Sequence, residues 1–402
     1  MSLSEAELLA DIRQRLFAPT NSRTPRAVGL ELELIPVQRG SNKPAPAMGA
    51  KGASTSAALS RLAIRESWTE QRTGDDPSSW KMRDGSVISF EPGGQIEIST
   101  APHPSASAVI EAAQLIVAQV SEVMSEDGIE LVARGVDPYN NIDAVPLQLH
   151  RERYTGMTRY FESIGPSGVR MMRQTAALQI NVEHGPDPKA RWRLLNALAP
   201  IVVALFANSA MYAGKPTGWA SYRAQLWRTL DPSRTGIIYD EADEAAEYLR
   251  FALDAGAMHA RDGSGYRSFR QWMRAPQVDR DEWMFHLSTL FPEVRPKEFF
   301  ELRSADTIEA AFLAAPVVFV TGLVYDVENA RNAIDIVGPP SNALLERAGK
   351  LGLADPAIRK IATELTNSSL QGAQRLGADY ITARHIDDAA RYFARVLEPH
   401  EI

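Results

Sequence analysis

A chain of 402 residues with 45% hydrophobic and 23% charged side chains is long enough for a substantial core, and its composition excludes a disordered or fibrous chain. A formal net charge of -7, from 43 basic and 50 acidic residues without a long basic run, argues against nucleic acid as a partner. The absence of cysteine removes thiol nucleophiles, thiolate metal sites, iron–sulfur clusters and disulfides, and is compatible with a cytoplasmic location.

The first predicted element is a helix over 4–17, opened by a Ser4/Glu7 capping box. Its Glu5, Glu7, Asp11 and Arg13 interrupt the apolar run that a signal peptide needs. A strand over Val28–Val37 follows, then a loop over 38–54 and a helix over 55–67. A second loop, 72–86, leads into strands Ser86–Phe90 and Gln95–Thr100, separated by Pro92, Gly93 and Gly94, where Gly-Gly reads as a tight turn. Next come a helix over 105–126, a strand over Ile129–Val136, a loop over 137–168, a strand over Met171–Glu183, and helices over 189–207 and 240–256 flanking a loop at Asp231–Gly236. A strand at Glu298–Arg303 is the last. Beyond about residue 305 the chain reads as mainly helical, with helices over 308–325, 355–373 and 385–397. The apolar stretch Ala310–Tyr325 contains Pro316, Thr321 and Gly322 and falls short of the roughly 20 residues of a membrane span, so it reads as a buried helix. With no βαβ rhythm and no repeat, the pattern is α+β, one catalytic unit over 1–402 with a helical portion at 307–402.

Successive side chains of a strand point to opposite faces, so residues two apart share one. In GLELELIP, Glu31 and Glu33 share a face, and Leu30, Leu32 and Leu34 take the other. In SFEPGGQIEIST, Glu91 precedes the Pro-Gly-Gly break, after which Gln95, Glu97 and Ser99 lie opposite Ile96 and Ile98. In MRQTAALQINVEH, Arg173, Thr175, Gln179, Asn181 and Glu183 oppose Met172, Ala176, Leu178, Ile180 and Val182, and in FFELRSAD, Glu301 and Arg303 oppose Phe300 and Leu302. A sheet with one wet face accounts for any one of these strands alone. Glutamate is depleted in strands, however, and here it recurs on four of them. Carboxylates about 4 Å apart repel by roughly 4 kcal/mol per pair at an effective dielectric of about 20, so a convergent set needs cations or protons.

Magnesium suits such a donor set: hard oxygens, no cysteine, and no zinc-type spacing among the seven histidines. His184, at a strand end, reads as a surface residue. Arg173, Arg223, Arg234 and Arg303 are available as anion clamps, which suggests a polyphosphate and an anionic substrate, the parts that phosphoryl transfer requires. Trp219 and Trp227 can stack on a ligand, although aromatic residues so spaced more often fill a core or its rim. Gly214-Lys215 is followed by Pro216 and is no Walker A loop; no GxGxxG follows a strand, and no GxSxG is present.

The motifs GLELE, FEPGGQIEIST, MRQTAALQINV, LFANSAMYAGKPTGWASYRAQLWRTLDPSRTG and FFELRSAD, in that order over about residues 26–306, resemble the signatures of the plant-type glutamate–cysteine ligase family. That family includes bacterial members, among them the actinobacterial enzyme of ergothioneine synthesis. The resemblance implies a glutamine-synthetase-like fold, a curved antiparallel sheet forming a funnel with helices outside. It also implies ligation of the γ-carboxylate of glutamate to the α-amine of cysteine through γ-glutamyl phosphate, with ATP as co-substrate. On this basis Glu31, Glu33, Glu91, Glu97 and Glu301 would hold two or more Mg2+ ions, with Asn181 as a further polar ligand. Arg173 and Arg223 would bind glutamate carboxylates, Gln179 and Trp227 would line the same site, and Arg234 and Arg303 would face ATP phosphates or the acyl phosphate. The partners implied are small molecules only, with no nucleic acid or membrane, for a monomer or homodimer. Plant members are associated with cysteine-based redox control, which this chain has no residue to perform. A second reading keeps γ-glutamyl phosphate and changes the amine acceptor. A third, a catalytically silent nucleotide- or metal-binding relative, sits poorly with an intact acidic and arginine set.

Overall fold

The computed structural model describes residues 3–20, 26–49, 53–239, 242–258, 267–276 and 278–398. Its strands are β1 (Val28–Gln38), β2 (Thr69–Thr73), β3 (Asp76–Lys81), β4 (Val87–Phe90), β5 (Ile96–Ser99), β6 (Ile129–Val132) and β7 (Ala177–Val182), then the two-residue strands β8 (Met211–Tyr212), β9 (Lys215–Pro216), β10 (Thr235–Gly236) and β11 (Phe291–Pro292), and finally β12 (Val294–Pro296) and β13 (Phe300–Asp306). Nine of them form one sheet in the order β12-β13-β7-β1-β5-β4-β3-β2, with β6 also paired to β1. All these pairings are antiparallel, and the order has two free ends, so the sheet is open rather than a closed barrel.

The helices are α1 (Glu5–Leu16), α2 (Thr55–Glu66), α3 (Ala106–Glu126), α4 (Glu152–Ile164), α5 (Pro166–Gln174), α6 (Pro188–Leu205), α7 (Tyr222–Leu230), α8 (Glu244–Asp254), α9 (Phe269–Trp272), α10 (Arg280–Leu287), α11 (Ala314–Val324), α12 (Val327–Val337), α13 (Asn342–Leu351), α14 (Pro356–Leu376) and α15 (Ala383–Leu397). α3 packs on β1 and β5, α6 on β12 and β13, and α11 on β7. They cover the apolar side of the pleat: Leu30, Leu32, Leu34, Ile88, Ile96, Ile98, Leu178, Ile180, Phe300 and Leu302 are all buried. Each such side chain contributes about 1.5–3 kcal/mol by leaving water, which fixes the register and thereby the direction of every polar neighbour. Leu32 opposes Ile98 while Glu33 opposes Glu97, so the alternation read from the sequence is the alternation of the sheet.

α11, the apolar stretch expected as a buried helix, is buried along its whole length. It crosses α14 where Gly322 and Gly372 meet; a Cβ on Gly372 would lie 2.1 Å from the Gly322 carbonyl oxygen. α3 is long and apolar enough to cross a membrane, but its Val109, Ile110, Ala113, Ile116, Val120 and Val123 are buried within the protein.

Several boundaries differ from the sequence reading. Met171–Glu183 is not one strand: α5 occupies Pro166–Gln174 and the pleat begins at Ala177. Pro166 starts the helix at its first position, Met and Gln favour helix over strand, and Val169 and Met172 join Phe161, Leu230 and Phe291 in a separate apolar cluster. Segment 72–86 is not simply loop: β2 and β3 form a hairpin, anchored by fully buried Trp80, whose ring lies edge-on to Phe90 at 6.0 Å. Its other residues are polar because β2 is an edge strand. Segment 137–168 holds α4 and the start of α5. The strand expected over Ile129–Val136 ends at Val132. That expected over Glu298–Arg303 runs instead over Phe300–Asp306, with a register shift between Leu302 and Ala305. His184 is buried, not superficial; its Nδ1 meets the Ala18 carbonyl at 2.8 Å and its ring lies on Phe300.

The Pro92-Gly93-Gly94 break is a turn, closed by Gly94 N–H donating to the Glu91 carbonyl at 2.8 Å. Gly94 has φ +88°, and a Cβ on Gly93 would lie 2.0 Å from the Arg173 carbonyl oxygen at the end of α5. Gly93→Ala therefore forces the turn and α5 apart and should cost about 2–3 kcal/mol of stability, measured by urea unfolding. A change within experimental error would refute this account of the contact.

Candidate active site

β1, β4 and β5 bring three glutamates to one place. Oxygen atoms of Glu33, Glu91 and Glu97 all lie within 4.8 Å of one another. Glu33 comes from the middle of β1, Glu97 from its neighbour β5, and Glu91 from the residue after β4. The Glu33 carboxylate accepts from Ala177 N–H at 2.8 Å and from Gln179 Nε2 at 3.2 Å; Glu97 accepts from Ser99 Oγ at 3.1 Å and Ser89 Oγ at 3.3 Å. These donors orient the carboxylates without neutralising them. Among the described residues no ion pair within 4.0 Å reaches any of the three. Burial, then the Glu97 charge, pushes the Glu33 carboxyl up to about 7, and the same causes push Glu91 well above the usual range. A divalent cation suits this set of hard oxygen donors and would remove both penalties.

Along the same face, β13 and the chain before it solve the same problem differently. Glu301 is completely buried and opposes Asn181 in the register. Burial alone would raise its carboxyl, but Arg295, Arg303 and Lys297 hold it well below the usual range. Arg295 Nε is 2.7 Å from Glu301 Oε2, Arg303 Nη1 donates to the same oxygen at 2.5 Å, and Lys297 Nζ bonds Oε1. Glu31 accepts from Asn181 Nδ2 at 2.9 Å, and burial with the nearby Glu301 raises its carboxyl. The five glutamates therefore form two groups rather than one, with Glu33, Glu91 and Glu97 in the first and Glu31 and Glu301 in the second.

The four arginines separate as well. Arg303 donates to Gln179 Oε1 at 2.6 Å and lies 5.3 Å above the Trp227 ring, in the middle of the polar face. The register shift after Leu302 puts Arg303 and Ser304 opposite the single residue Gln179, and so lets Arg303 point inward while Ser304 bonds Glu293. Arg223 is nearly inaccessible and stacks on the same Trp227 at 5.5 Å; its Nη2 donates to the Arg303 carbonyl at 2.8 Å, while its Nε is buried with no partner among the described residues. Arg223 is 3.9 Å from Asp306 Oδ1, and Asp306 also accepts from Ser209 Oγ at 2.7 Å, Ser221 Oγ at 2.9 Å and Asn208 N–H at 2.8 Å.

Arg173 belongs to α5 rather than to the strand. It is half-buried, and the charges it feels are Glu162 and Asp143 on the 137–168 side. Arg234 is corrected more fully. It has no exposed surface, and its guanidinium donates to Asp231 Oδ2 at 2.8 Å, the Thr289 carbonyl at 3.0 Å, Tyr160 Oη at 3.1 Å and the Gly256 carbonyl at 2.5 Å. With every nitrogen engaged by protein it braces the 231–236 loop and cannot face a phosphate.

Three cations were missed by the sequence reading: Arg153, Arg295 and Lys297. They line a cleft of about 370 Å³ together with Arg15, Leu16, Tyr248, Met284 and Leu287. Arg153 also lies near Glu91, which feels its charge. A signal existed for two of them. Arg295, Lys297, Glu301 and Arg303 share odd parity through a tight hairpin in which Arg295 opposes Glu301, so extending the alternation backward would have found them. Arg153, on a helix inside an expected loop, gave none.

Residues 27–392 match the family described as Glutamate-cysteine ligase family 2 (GCS2). The glutamate–cysteine ligase EgtA of Mycolicibacterium smegmatis is 33% identical over 326 residues, 76% of this chain and 75% of that protein. The chloroplastic glutamate–cysteine ligase of Arabidopsis thaliana is 30% identical over 361 residues, 83% of this chain and 68% of that protein. Among solved structures, the Francisella tularensis glutamate–cysteine ligase in complex with AMP superimposes with a TM-score of 0.53 at 13% identity, over 93% of this chain and 82% of that one. At that identity the likeness concerns the fold.

The Glu33 carboxyl, raised from 4.5 to about 7, holds its proton more tightly in the folded than in the unfolded chain. Its contribution to stability is therefore full below pH 4.5 and is lost as the pH rises through about 7. Without metal, the wild type should lose on the order of 3 kcal/mol across that range relative to Glu33→Gln. Urea unfolding of both proteins in EDTA at several pH values measures this; parallel pH profiles would rule out the raised carboxyl.

Proposed function

The chain belongs to the glutamate–cysteine ligase family 2, and from that membership we propose that it joins the γ-carboxylate of L-glutamate to the α-amine of L-cysteine, with cleavage of ATP to ADP and phosphate. The observation that carries the reading is the polar sheet face itself, where three carboxylates without an ion pair among the described residues stand beside a row of cations. That is the layout a phosphoryl transfer needs: oxygen ligands for a metal on one side, and guanidinium and ammonium groups for migrating negative charge on the other.

Glu33, Glu91 and Glu97 would hold one magnesium ion, and Glu31, Asn181 and Glu301 a second. Bound there, magnesium would supply positive charge to offset that of the ATP phosphates. Arg153, Arg295 and Lys297 would receive the polyphosphate in the cleft, whose Leu16, Tyr248, Met284 and Leu287 give apolar cover for a base. The AMP bound to the Francisella neighbour is in keeping with a nucleotide here.

Glutamate would lie over Trp227, with Arg223 and Gln179 on its carboxylates and Arg303 beside its γ-carboxylate. An oxygen of that carboxylate attacks the γ-phosphorus as the bond to ADP breaks. The amine nitrogen of the acceptor then attacks the acyl carbon, phosphate leaves with the electron pair of the broken C–O bond, and the nitrogen releases its surplus proton to solvent. No enzyme nucleophile is needed, and Arg303 would stabilise charge on the acyl phosphate in both steps. Arg173, at the side formed by 137–168, is left to the acceptor.

ADP release with glutamate and a panel of amines, with and without magnesium, tests the proposal. Magnesium-dependent release with cysteine is expected. Release with another amine and not with cysteine would keep γ-glutamyl transfer and change the acceptor, whereas release with no amine, or without magnesium, would overturn the reading. Glu97→Gln should leave the fold intact and lower turnover by about a hundredfold, and near-normal turnover would remove Glu97 from the metal set.

A further inference from the structure

The turn between β12 and β13 carries an ammonium group into the acid row. Lys297 N–H donates to the Phe299 carbonyl at 2.8 Å, and its side chain passes over the Phe299 ring at 5.3 Å. Its Nζ bonds Glu301 Oε1 and lies 3.7 Å from Glu31 Oε1, so one point charge faces two carboxylates from strands that are not neighbours. Glu301 already has two guanidinium partners, Arg295 and Arg303. The charge left for Lys297 to balance is that of Glu31.

The three cations are not equivalent in exposure. The side chains of Arg295 and Arg303 are 16% and 10% exposed, whereas that of Lys297 is 35% exposed and lines the 370 Å³ cleft. A lysine is also the cation best able to leave, because its four-carbon stem is flexible and its donors rotate, where an arginine fork is locked to its carboxylate. A further observation points to a ligand other than lysine at this locus. Asn181 Oδ1 is buried and has no hydrogen-bond partner among the described residues, although its own Nδ2 fixes the amide against Glu31. Glu31, Glu301 and Asn181 all offer hard oxygen donors, and the ammonium of Lys297 engages only the two carboxylates.

We propose that Lys297 is an exchangeable counter-cation. It holds the Glu31–Asn181–Glu301 pocket while the cleft is empty, and it swings to the polyphosphate when nucleotide enters, leaving the pocket to a divalent ion. This rests on the reading of the cleft as the nucleotide site. The consequence is coupling: nucleotide and metal at this pocket favour each other, while the Glu33–Glu91–Glu97 cluster, with no resident cation, takes its ion independently.

The experiment is a Mn2+ titration of the full chain, read by the electron paramagnetic resonance of free Mn2+, with and without a non-hydrolysable ATP analogue. Wild type is compared with Lys297→Met and Lys297→Gln after thermal melting in EDTA; if the methionine variant melts early, the glutamine variant carries the comparison. Without the analogue, the variants should bind one more Mn2+ per chain than the wild type. They should also bind the analogue about tenfold more weakly, the size of one charge-assisted hydrogen bond. Equal Mn2+ uptake by variant and wild type, or unchanged affinity for the analogue, overturns the proposal. The two readings fail separately: a wrong acceptor or reaction removes ADP release and leaves the Mn2+ difference, whereas a wrong role for Lys297 removes the difference and leaves ADP release.

Discussion

Like charges crowded onto one face of a sheet set the terms for the rest of this molecule. Two carboxylates at about 4 Å repel by roughly 4 kcal/mol even at an effective dielectric of about 20, a large fraction of what a folded chain can spare. The polar face meets this in two ways. Around Glu301 the chain supplies its own cations, Arg295, Arg303 and Lys297, and the carboxylate stays ionised. Around Glu33, Glu91 and Glu97 the described residues form no ion pair within 4.0 Å, and burial with the Glu97 charge forces Glu33 and Glu91 toward protonation. A site whose charge is left unbalanced by the fold is one prepared for a cation from solution.

Holding that unfavourable arrangement falls to the opposite face of the same strands. Glu31, Glu33, Glu97 and Glu301 are flanked by buried leucine, isoleucine or phenylalanine on the face covered by α3, α6 and α11, so turning one of these carboxylates outward would expose apolar area on both sides of it. The ends of the strands are fixed by buried polar contacts. Gln95 Nε2 donates to the Thr175 carbonyl at 2.8 Å and joins the turn after Glu91 to the end of α5. Asp306 gathers Ser209, Ser221 and Asn208 and so seats the segment that delivers Arg223. Gly135 permits that approach, since a Cβ there would lie 2.4 Å from Asp306 Cγ. Arg234 does the same service for the 231–236 loop. These residues are held by protein partners on the rim of the polar face and fix its position.

Much of the site was legible in the sequence because a strand has a period of two and each face tolerates one kind of side chain. Glu31, Glu33, Glu97, Gln179, Asn181, Glu301 and Arg303 were placed on the polar face by counting, and the sheet put them there. The same reasoning failed at Arg173, where the alternation MRQT continues that of the strand by coincidence and the backbone is helical until Gln174. It failed at Arg234 for another reason. An arginine in a loop motif reads as a ligand clamp, and nothing local reveals that Thr289, Tyr160 and Gly256 will enclose it.

The sequence by itself determined the α+β class, the polar and apolar faces, a buried helix within Ala310–Tyr325 and, through five ordered motifs, the family. Those properties depend on periodicity and residue type, which are local. Only the tertiary structure decided how the glutamates group, because grouping depends on register and on cations that arrive from elsewhere in the chain. Glu91 reaches Glu33 and Glu97 across a turn, while Glu301 is claimed by Arg295 and Lys297 from the preceding strand and turn. The inward-facing carboxylates were written in the chain; which of them would be left without a counter-charge was not, since that is a property of distances and not of spacing.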